Sequence, residues 1–219
     1  LFEEYALRGT QAHGAAFYSG QYVDLVSFKP FIPPAVIPAL NLPPEQRLQV
    51  VSYSDMGWYP ALPHAFTPAM GSSPATVLTA AGQYNQRAGK ERLYSELQVN
   101  LYFSNSSDWV PPRIQSVAME KQGSLASFAV QATDAGSVLE EVLLTYTDGQ
   151  GAWQTISLKQ EPGGHWTGRL PAPNGLDYVV QAVDQAGNVA LDDNEGGYYL
   201  VSGGTGDSGW QVVLPAILK

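Results

Sequence analysis

The sequence predicts an all-β protein, and three features lead to this prediction. Apolar and polar residues alternate with period two in several runs, turns rich in glycine and proline separate these runs, and the first half contains no convincing amphipathic helix. The 219 residues include 22 Gly and 16 Pro, and 44% are hydrophobic, which suffices for packed cores. This length accommodates one large domain or two small ones, and we expect two tandem β-sandwich-like domains.

Residues 1–110 are expected to form a β-rich domain of a family that the sequence does not identify. The strongest strand prediction covers Leu93–Phe103, where successive residues alternate between an apolar and a polar face. Shorter runs of the same kind cover Tyr22–Phe28 and Leu48–Tyr53. Proline-rich segments separate these runs, and the longest of them, Tyr59–Pro74, is typical of a loop.

The character of the sequence changes at Asn105–Pro112, where a polar turn cluster is followed by two prolines. Such a cluster is typical of a domain boundary. After it, residues 111–201 contain seven short β-like runs at the spacing of a β-sandwich. The runs are Ile114–Lys121, Leu125–Ala132, Leu139–Tyr146, Trp153–Lys159, Trp166–Leu170, Tyr178–Val183 and Tyr198–Val201. Gly, Asp and Asn occupy the turns between them and supply the positive φ angles and local hydrogen bonds that tight turns need.

Two motifs in this second domain resemble the fibronectin-III/immunoglobulin-like modules of bacterial extracellular proteins. They are Leu170-Pro171 and Tyr178-x-Val180-x-Ala182-x-Asp184-x-x-Gly187-Asn188. The resemblance covers about residues 113–201 and implies a sandwich of about seven strands. It also implies that Tyr178, Val180 and Ala182 face the core and that the Tyr178 hydroxyl bonds to a nearby backbone group. It does not identify a ligand, because sandwiches host many functions.

The two ends of the chain influence the expected location. Leu1–Thr10 has neither the basic nor the apolar region of a secretory signal, so we expect a processed product or the C-terminal part of a larger secreted or surface protein. Residues 202–219 are expected to form a Gly-rich linker and an apolar C-terminal tail. The expected location is therefore extracellular or at the cell surface, with upstream domains of the same chain as partners.

Composition narrows the classes of partner and chemistry. The net charge of -9 repels phosphate backbones, so we expect no nucleic-acid partner. The chain has no cysteine, which excludes disulfide frameworks and zinc sites with Cys ligands. No window reaches the roughly 18 consecutive apolar residues of a membrane-spanning helix. The longest candidate, Phe28–Leu42, is interrupted by prolines.

The densest polar cluster predicts a candidate metal site. Asp184, Asn188, Asp192 and Asp193 place oxygen ligands in two neighbouring loop segments. Ca²⁺ takes about six to eight oxygen ligands in flexible geometry, so calcium is the ion that this cluster favours, although no cofactor is expected to be required. The alternative is that Asp184 and Asn188 cap their own turn and that the other acidic residues are solvated.

Aromatic residues form the second candidate site. The chain has five Trp and twelve Tyr, and Tyr53, Trp58 and Tyr59 lie in or beside a loop rich in Gly and Pro. An exposed aromatic platform stacks on the apolar face of a sugar ring, so these residues are candidates for binding a surface glycan or a protein. The alternative is that they pack between domains or within a core.

No local catalytic signature stands out. The three histidines are distant in sequence, and neither a His-Glu-x-x-His motif nor a Gly-x-Ser-x-Gly motif is present. We therefore expect a non-enzymatic extracellular structural, adhesion or binding module. The alternative is a carbohydrate-binding accessory module of a secreted hydrolase. An enzyme whose site is assembled from dispersed residues is a third, less favoured interpretation.

Overall fold

The computed structural model describes residues 2–4, 10–27, 57–69 and 74–202, and these residues contain strands but no helix. In chain order the strands are β1 (Phe2–Glu4), β2 (Gln11–Val26), β3 (Trp58–Tyr59), β4 (His64–Thr67), β5 (Thr76–Thr79), β6 (Gly82–Asn85), β7 (Lys90–Ser104), β8 (Arg113–Gln122), β9 (Leu125–Thr133), β10 (Leu139–Thr147), β11 (Ala152–Ser157), β12 (Lys159–Glu161), β13 (His165–Pro171), β14 (Gly175–Asp184), β15 (Val189–Asp192) and β16 (Tyr199–Ser202). The all-β prediction is confirmed. The described residues offer no helix that could cross a membrane.

The described strands form three antiparallel sheets. The largest has nine strands in the order β15-β14-β10-β11-β2-β7-β6-β3, with β16 also pairing with β14. A four-stranded sheet has the order β12-β13-β9-β8, and a three-stranded sheet has the order β1-β5-β4.

The main core lies between the four-stranded sheet and strands β10, β14 and β16 of the largest sheet. Alternate residues of β9 are buried, as period-two patterning requires of a strand with one face on a core. Tyr178, Val180 and Ala182 of β14 point into this core, in agreement with the sequence prediction. Phe128 of β9 makes an edge-to-face contact with Tyr178, at 5.0 Å between ring centroids. The described residues include no hydrogen bond from the Tyr178 hydroxyl to backbone.

The long strands β2 and β7 cover the opposite face of β10 and β14. Strand β14 is therefore buried on both faces, which explains its nearly continuous apolar run. At the contact between β14 and β2, the side-chain amide of Gln181 bonds to the backbone of Phe17, as a neighbouring strand would. Its Oε1 accepts from the Phe17 N–H at 2.9 Å, and its Nε2 donates to the Phe17 carbonyl at 2.8 Å. The buried backbone groups of Phe17 thus find hydrogen-bond partners on β14, which lies between the β2–β7 ribbon and the four-stranded sheet.

A second core joins residues from both halves of the chain. Phe17, Tyr22 and Trp58 from the first half pack with Trp153 and Tyr198 from the second half. The backbone also crosses the predicted boundary, because Trp153 of β11 pairs with β2 in the largest sheet. The division into domains at residues 1–110 and 111–201 stays a prediction, and the two halves share a sheet and a core.

Most of the predicted strands correspond to observed ones. The predicted run Trp153–Lys159 is divided between β11 and β12, and β15 had no counterpart among the predicted runs. In the first half, β2 begins at Gln11, well before the predicted Tyr22. The predicted run Leu48–Tyr53 and most of the C-terminal tail lie outside the described residues.

Candidate functional site

Three loops at one end of the sandwich bring three carboxylates together. Asp108 lies in the connection between β7 and β8, Asp134 lies between β9 and β10, and Asp184 ends β14. One carboxylate oxygen from each residue lies within 4.8 Å of the other two. We call these three residues the carboxylate site.

Two members of the site use one oxygen to shape their own loop and leave the other oxygen unpaired. Asp108 Oδ1 accepts from the Val110 N–H at 3.0 Å, and Asp134 Oδ1 accepts from the Gly136 N–H at 2.7 Å. The remaining Oδ2 atoms of Asp108 and Asp134 are buried and have no hydrogen-bond donor in the described part of the chain. Burying a carboxylate oxygen without a donor or a cation costs free energy, which favours a bound cation at this position.

The third member, Asp184, is fully buried and is held by Asn188. Asp184 Oδ1 accepts from the Asn188 N–H at 2.8 Å, and Asp184 Oδ2 accepts from Asn188 Nδ2 at 2.9 Å. Asn188 Nδ2 also donates to the Asp108 carbonyl at 3.1 Å. Asn188 therefore ties the β14–β15 turn to the segment that carries Asp108.

The ring of His13 contacts both Asn188 and the connection between β7 and β8. His13 Nδ1 lies 3.3 Å from Asn188 Oδ1, and an Oδ1 acceptor requires the Nδ1–H tautomer. The ring also stacks on Trp109, with centroids 3.8 Å apart and an interplanar angle of 9°. The connection between β7 and β8 is thus fixed to β2 by a ring contact and to the β14–β15 turn by hydrogen bonds.

Among the described residues, no cation pairs with the carboxylate site. The ion pairs among the described residues are Lys90–Asp24, Arg92–Asp24 and Lys159–Glu161, and none includes a member of the site. Two unit charges no more than 4.8 Å apart repel by at least about 3 kcal/mol at an effective dielectric constant of about 20. A cation at the centre of the three oxygens would convert this repulsion into attraction.

Comparison with known protein families, with curated proteins and with solved structures gives no match to this chain. The geometry of the site therefore carries the functional argument.

The structure separates the four residues that the sequence proposed as metal ligands. Asp184 belongs to the carboxylate site, and Asn188 holds Asp184 and caps the turn, as the alternative interpretation expected. Asp192 pairs with Val180, four residues before Asp184 on β14, which corresponds to roughly 13 Å along the strand.

Asp192 and Asp193 instead shape the loop that follows β15. Asp192 Oδ1 accepts from the Asn194 N–H at 3.2 Å, and Asp193 Oδ1 accepts from the Gly196 N–H at 3.1 Å. These bonds hold Asn194 and Glu195 in the left-handed region, at φ angles of 54° and 57°. Asp192 and Asp193 are therefore turn-forming residues in this loop.

The candidate aromatic residues also occupy different surroundings. Trp58 is only 7% exposed, and the Arg92 guanidinium lies over its ring at 4.2 Å from the centroid. Tyr59 is 67% exposed, and Tyr53 lies outside the described residues. Trp58 and Tyr59 thus do not share an exposed platform.

Sequence reasoning missed Asp108 and Asp134 as site residues. The sequence predicts a domain boundary around Asp108 and a turn at Asp134, and Asp is common in both for local reasons. Their convergence on Asp184 depends on the pairing of β8 with β9 and of β10 with β14, which brings the loop ends together. The spacing of these residues along the sequence does not predict that their carboxylates meet.

Proposed function

We propose that the chain is a non-enzymatic structural or binding module that works outside the cytoplasm, and that Ca²⁺ at the carboxylate site holds its loops together. The observation that carries this proposal is the convergence of Asp108, Asp134 and Asp184, with two buried oxygens that have no donor among the residues that the structure describes. An ion at this position links the β7–β8 connection to two loops of the sandwich. Its role is to stiffen the connection between the two halves.

The ligand type and the coordination preferences of the two ions favour Ca²⁺ over Mg²⁺. Ca²⁺ binds oxygens at about 2.3–2.6 Å, so two ligands of one ion are at most about 5 Å apart. The carboxylate oxygens all lie within 4.8 Å of one another, which meets this limit. Mg²⁺ requires near-octahedral geometry at about 2.0–2.1 Å and gives up its water ligands reluctantly, so a site of three protein carboxylates suits Ca²⁺ better.

The expected affinity connects the site with the extracellular environment. Calcium sites in extracellular modules have dissociation constants of about 10⁻⁴–10⁻³ M. Only one member of this site is fully buried, and three loops must be held in register to form it, so we expect an affinity in this range. An ion concentration in the millimolar range would keep such a site filled.

Calorimetric unfolding after treatment with a chelator tests the proposal. Ca²⁺ at about a hundred times the dissociation constant should stabilise the native state by about 2.7 kcal/mol. In a chain of this size we expect Tm to rise by about 5–10 °C. Equal concentrations of Mg²⁺ should raise Tm much less.

The variant Asp134→Asn supplies the decisive comparison. Asparagine retains an oxygen for the Gly136 N–H but loses the charge, so the loop is preserved and most of the Ca²⁺ effect should disappear. The matched control is Asp148→Asn, because Asp148 caps Gln150 in an exposed turn and does not belong to the site. An unchanged Tm with Ca²⁺, or equal shifts in both variants, would contradict the proposal.

The alternative function, a glycan platform at Trp58 and Tyr59, receives less support. The face of Trp58 is occupied by Arg92, and Tyr59 stands alone at the surface among the described residues of this region. A sugar ring would have to stack on Tyr59 by itself.

A further inference from the structure

A cleft lies at the end of the β2–β7 ribbon, beside the connection to β8. Its volume is about 590 Å³, which falls within the range of about 300–1,000 Å³ that is typical of ligand pockets. We call it the junction cleft, and its lining includes Thr10, Gln11, Ser104, Asn105, Ser107 and Trp109.

Trp109 gives the cleft a fixed aromatic wall. One face of its ring stacks on His13, which is only 5% exposed, while Trp109 remains 40% exposed. The hydrogen bonds from Asn188 to the carbonyls of Asp108 and Val110 fix the backbone on both sides of the tryptophan. An aromatic ring held in this way loses little conformational entropy when a ligand stacks on it.

The other lining residues are neutral and can form hydrogen bonds. The side chains of Gln11 and Asn105 have no hydrogen-bond partner in the described part of the chain, and the Thr10 hydroxyl is buried without one. The hydroxyl of Ser104 accepts from the Ser106 N–H at 3.0 Å, which leaves its own proton available to a ligand.

We propose that the junction cleft binds a neutral oligosaccharide, with one sugar ring on Trp109 and its hydroxyl groups bonded to Gln11, Asn105 and Ser104. A sugar presents an apolar face and a rim of hydroxyl groups that both donate and accept. The cleft offers the matching combination of one aromatic ring, amide groups and hydroxyl groups.

The lining also favours a neutral ligand over a charged one. No charged side chain is among the described residues that line the cleft, and the chain carries a net charge of -9. An acidic sugar would therefore find no cation to pair with and would be repelled by the overall field. Different side chains form the cleft and the carboxylate site, so variants of one leave the side chains of the other in place.

Titration calorimetry with defined hexasaccharides tests the inference. The neutral probes are cellohexaose, xylohexaose, mannohexaose and chitohexaose, and hexagalacturonate is the acidic counterpart. We expect at least one neutral probe to bind with a dissociation constant below a few millimolar and hexagalacturonate to bind more weakly. The change Trp109→Ala should weaken binding at least tenfold, and Asn105→Ala, which alters an exposed side chain, should weaken it severalfold without affecting folding.

Tyr59→Ala is the matched control, since Tyr59 is an exposed aromatic residue that does not line the cleft. Binding that survives Trp109→Ala and Asn105→Ala, or that is abolished by Tyr59→Ala, would overturn the assignment to the junction cleft. Failure of all neutral probes at 10 mM, or tighter binding of hexagalacturonate, would overturn the ligand class. The calcium proposal has its own readout in Tm, so either proposal can fail alone.

Discussion

Arg92 carries a positive charge that is almost completely buried, so it needs partners in place of water. Its side chain is 2% exposed and lies between the rings of Tyr22 and Trp58, at 3.9 and 4.2 Å from their centroids. Its guanidinium donates to Asp24 through Nε at 2.8 Å and Nη2 at 3.1 Å. Two aromatic faces and a bidentate carboxylate replace part of the water that this charge has lost, while Nη1 is buried without a hydrogen-bond partner in the described part of the chain.

The ion pair predicts how stability responds to acid. Burial alone would raise the pKa of Asp24, but the hydrogen bond and charge of Arg92, assisted by Lys90, lower it below its ordinary value. A carboxyl whose pKa is lower in the native state contributes stability above the unfolded pKa of about 3.9 and loses that contribution as pH falls further. We expect Asp24→Asn to cost about 2 kcal/mol or more at pH 7 in urea unfolding, with the difference from wild type shrinking as pH falls below the unfolded pKa and through the lowered native pKa of Asp24.

The exposed pair Lys159–Glu161 provides the comparison for this prediction. The Lys159 side chain is 80% exposed, so solvent screens the interaction and Glu161→Gln should change the free energy of unfolding by less than about 1 kcal/mol at either pH. If Asp24→Asn were as mild as this control, or if its cost did not depend on pH, the assigned role of the Arg92 pair would be wrong.

At the scale of secondary-structure elements, Gln181 determines how β2 lies across the sandwich. Its amide bonds to both backbone groups of Phe17, and its Nε2 also donates to Thr145 Oγ1 at 3.0 Å. We expect Gln181→Ala to cost about 1–3 kcal/mol, because it removes the acceptor of the buried Phe17 N–H and leaves the Phe17 carbonyl with the Thr145 hydroxyl as its donor. Hydrogen exchange of the Phe17 amide should accelerate more than exchange of amides in β9.

The control for this element is Gln98→Ala. Gln98 lies on β7 and accepts a hydrogen bond from Ser19 Oγ at the exposed surface of the same ribbon. Its removal should change stability by less than about 0.5 kcal/mol, since water replaces the lost partner. Equal effects of the two glutamine variants would show that the ribbon is held by its β2–β7 pairing rather than by the buried amide.

The elements of the second half were predictable because their patterns are local. Alternation in β9 and the Gly and Asp turns specify strands from short windows of sequence. The start of β2 was missed because Gln11–Ala16 has small residues and glycine in place of alternating bulk, and it becomes a strand by pairing with β7. Strand β15 was missed because four residues are too few to show a period.

The carboxylate site shows where sequence reasoning ends. Asp184 and Asn188 were recognised from a turn motif within five residues, and their mutual hydrogen bonds follow from that motif. Asp108 and Asp134 join them only through the stacking of the sheets. Likewise, Trp58 looked like a loop residue, and its burial depends on a cation that lies 34 positions further along the chain, at Arg92.

At the scale of the whole molecule, the shared core predicts how the chain unfolds. Phe17 contacts Trp153 edge to face at 5.7 Å, and Trp58 stacks near Tyr198 at 6.4 Å. Removing the first half would expose the outer face of β10 and β14, including Leu143 and other fully buried side chains. Because this surface is apolar, neither half can unfold without a loss of burial in the other.

We therefore expect the 219-residue chain to unfold in one calorimetric transition, with equal calorimetric and van't Hoff enthalpies. Two matched variants test this: Phe128→Leu alters the sandwich core and Phe17→Leu alters the shared core, and both wild-type rings are at most 2% exposed. Each should lower the same Tm by about 3–5 °C. Two transitions, of which each variant shifts only one, would instead establish independent domains on the two sides of residue 110. In that case Gln181 and the carboxylate site would act within an interface between domains, and calcium would stabilise the docking of the halves rather than the fold of either.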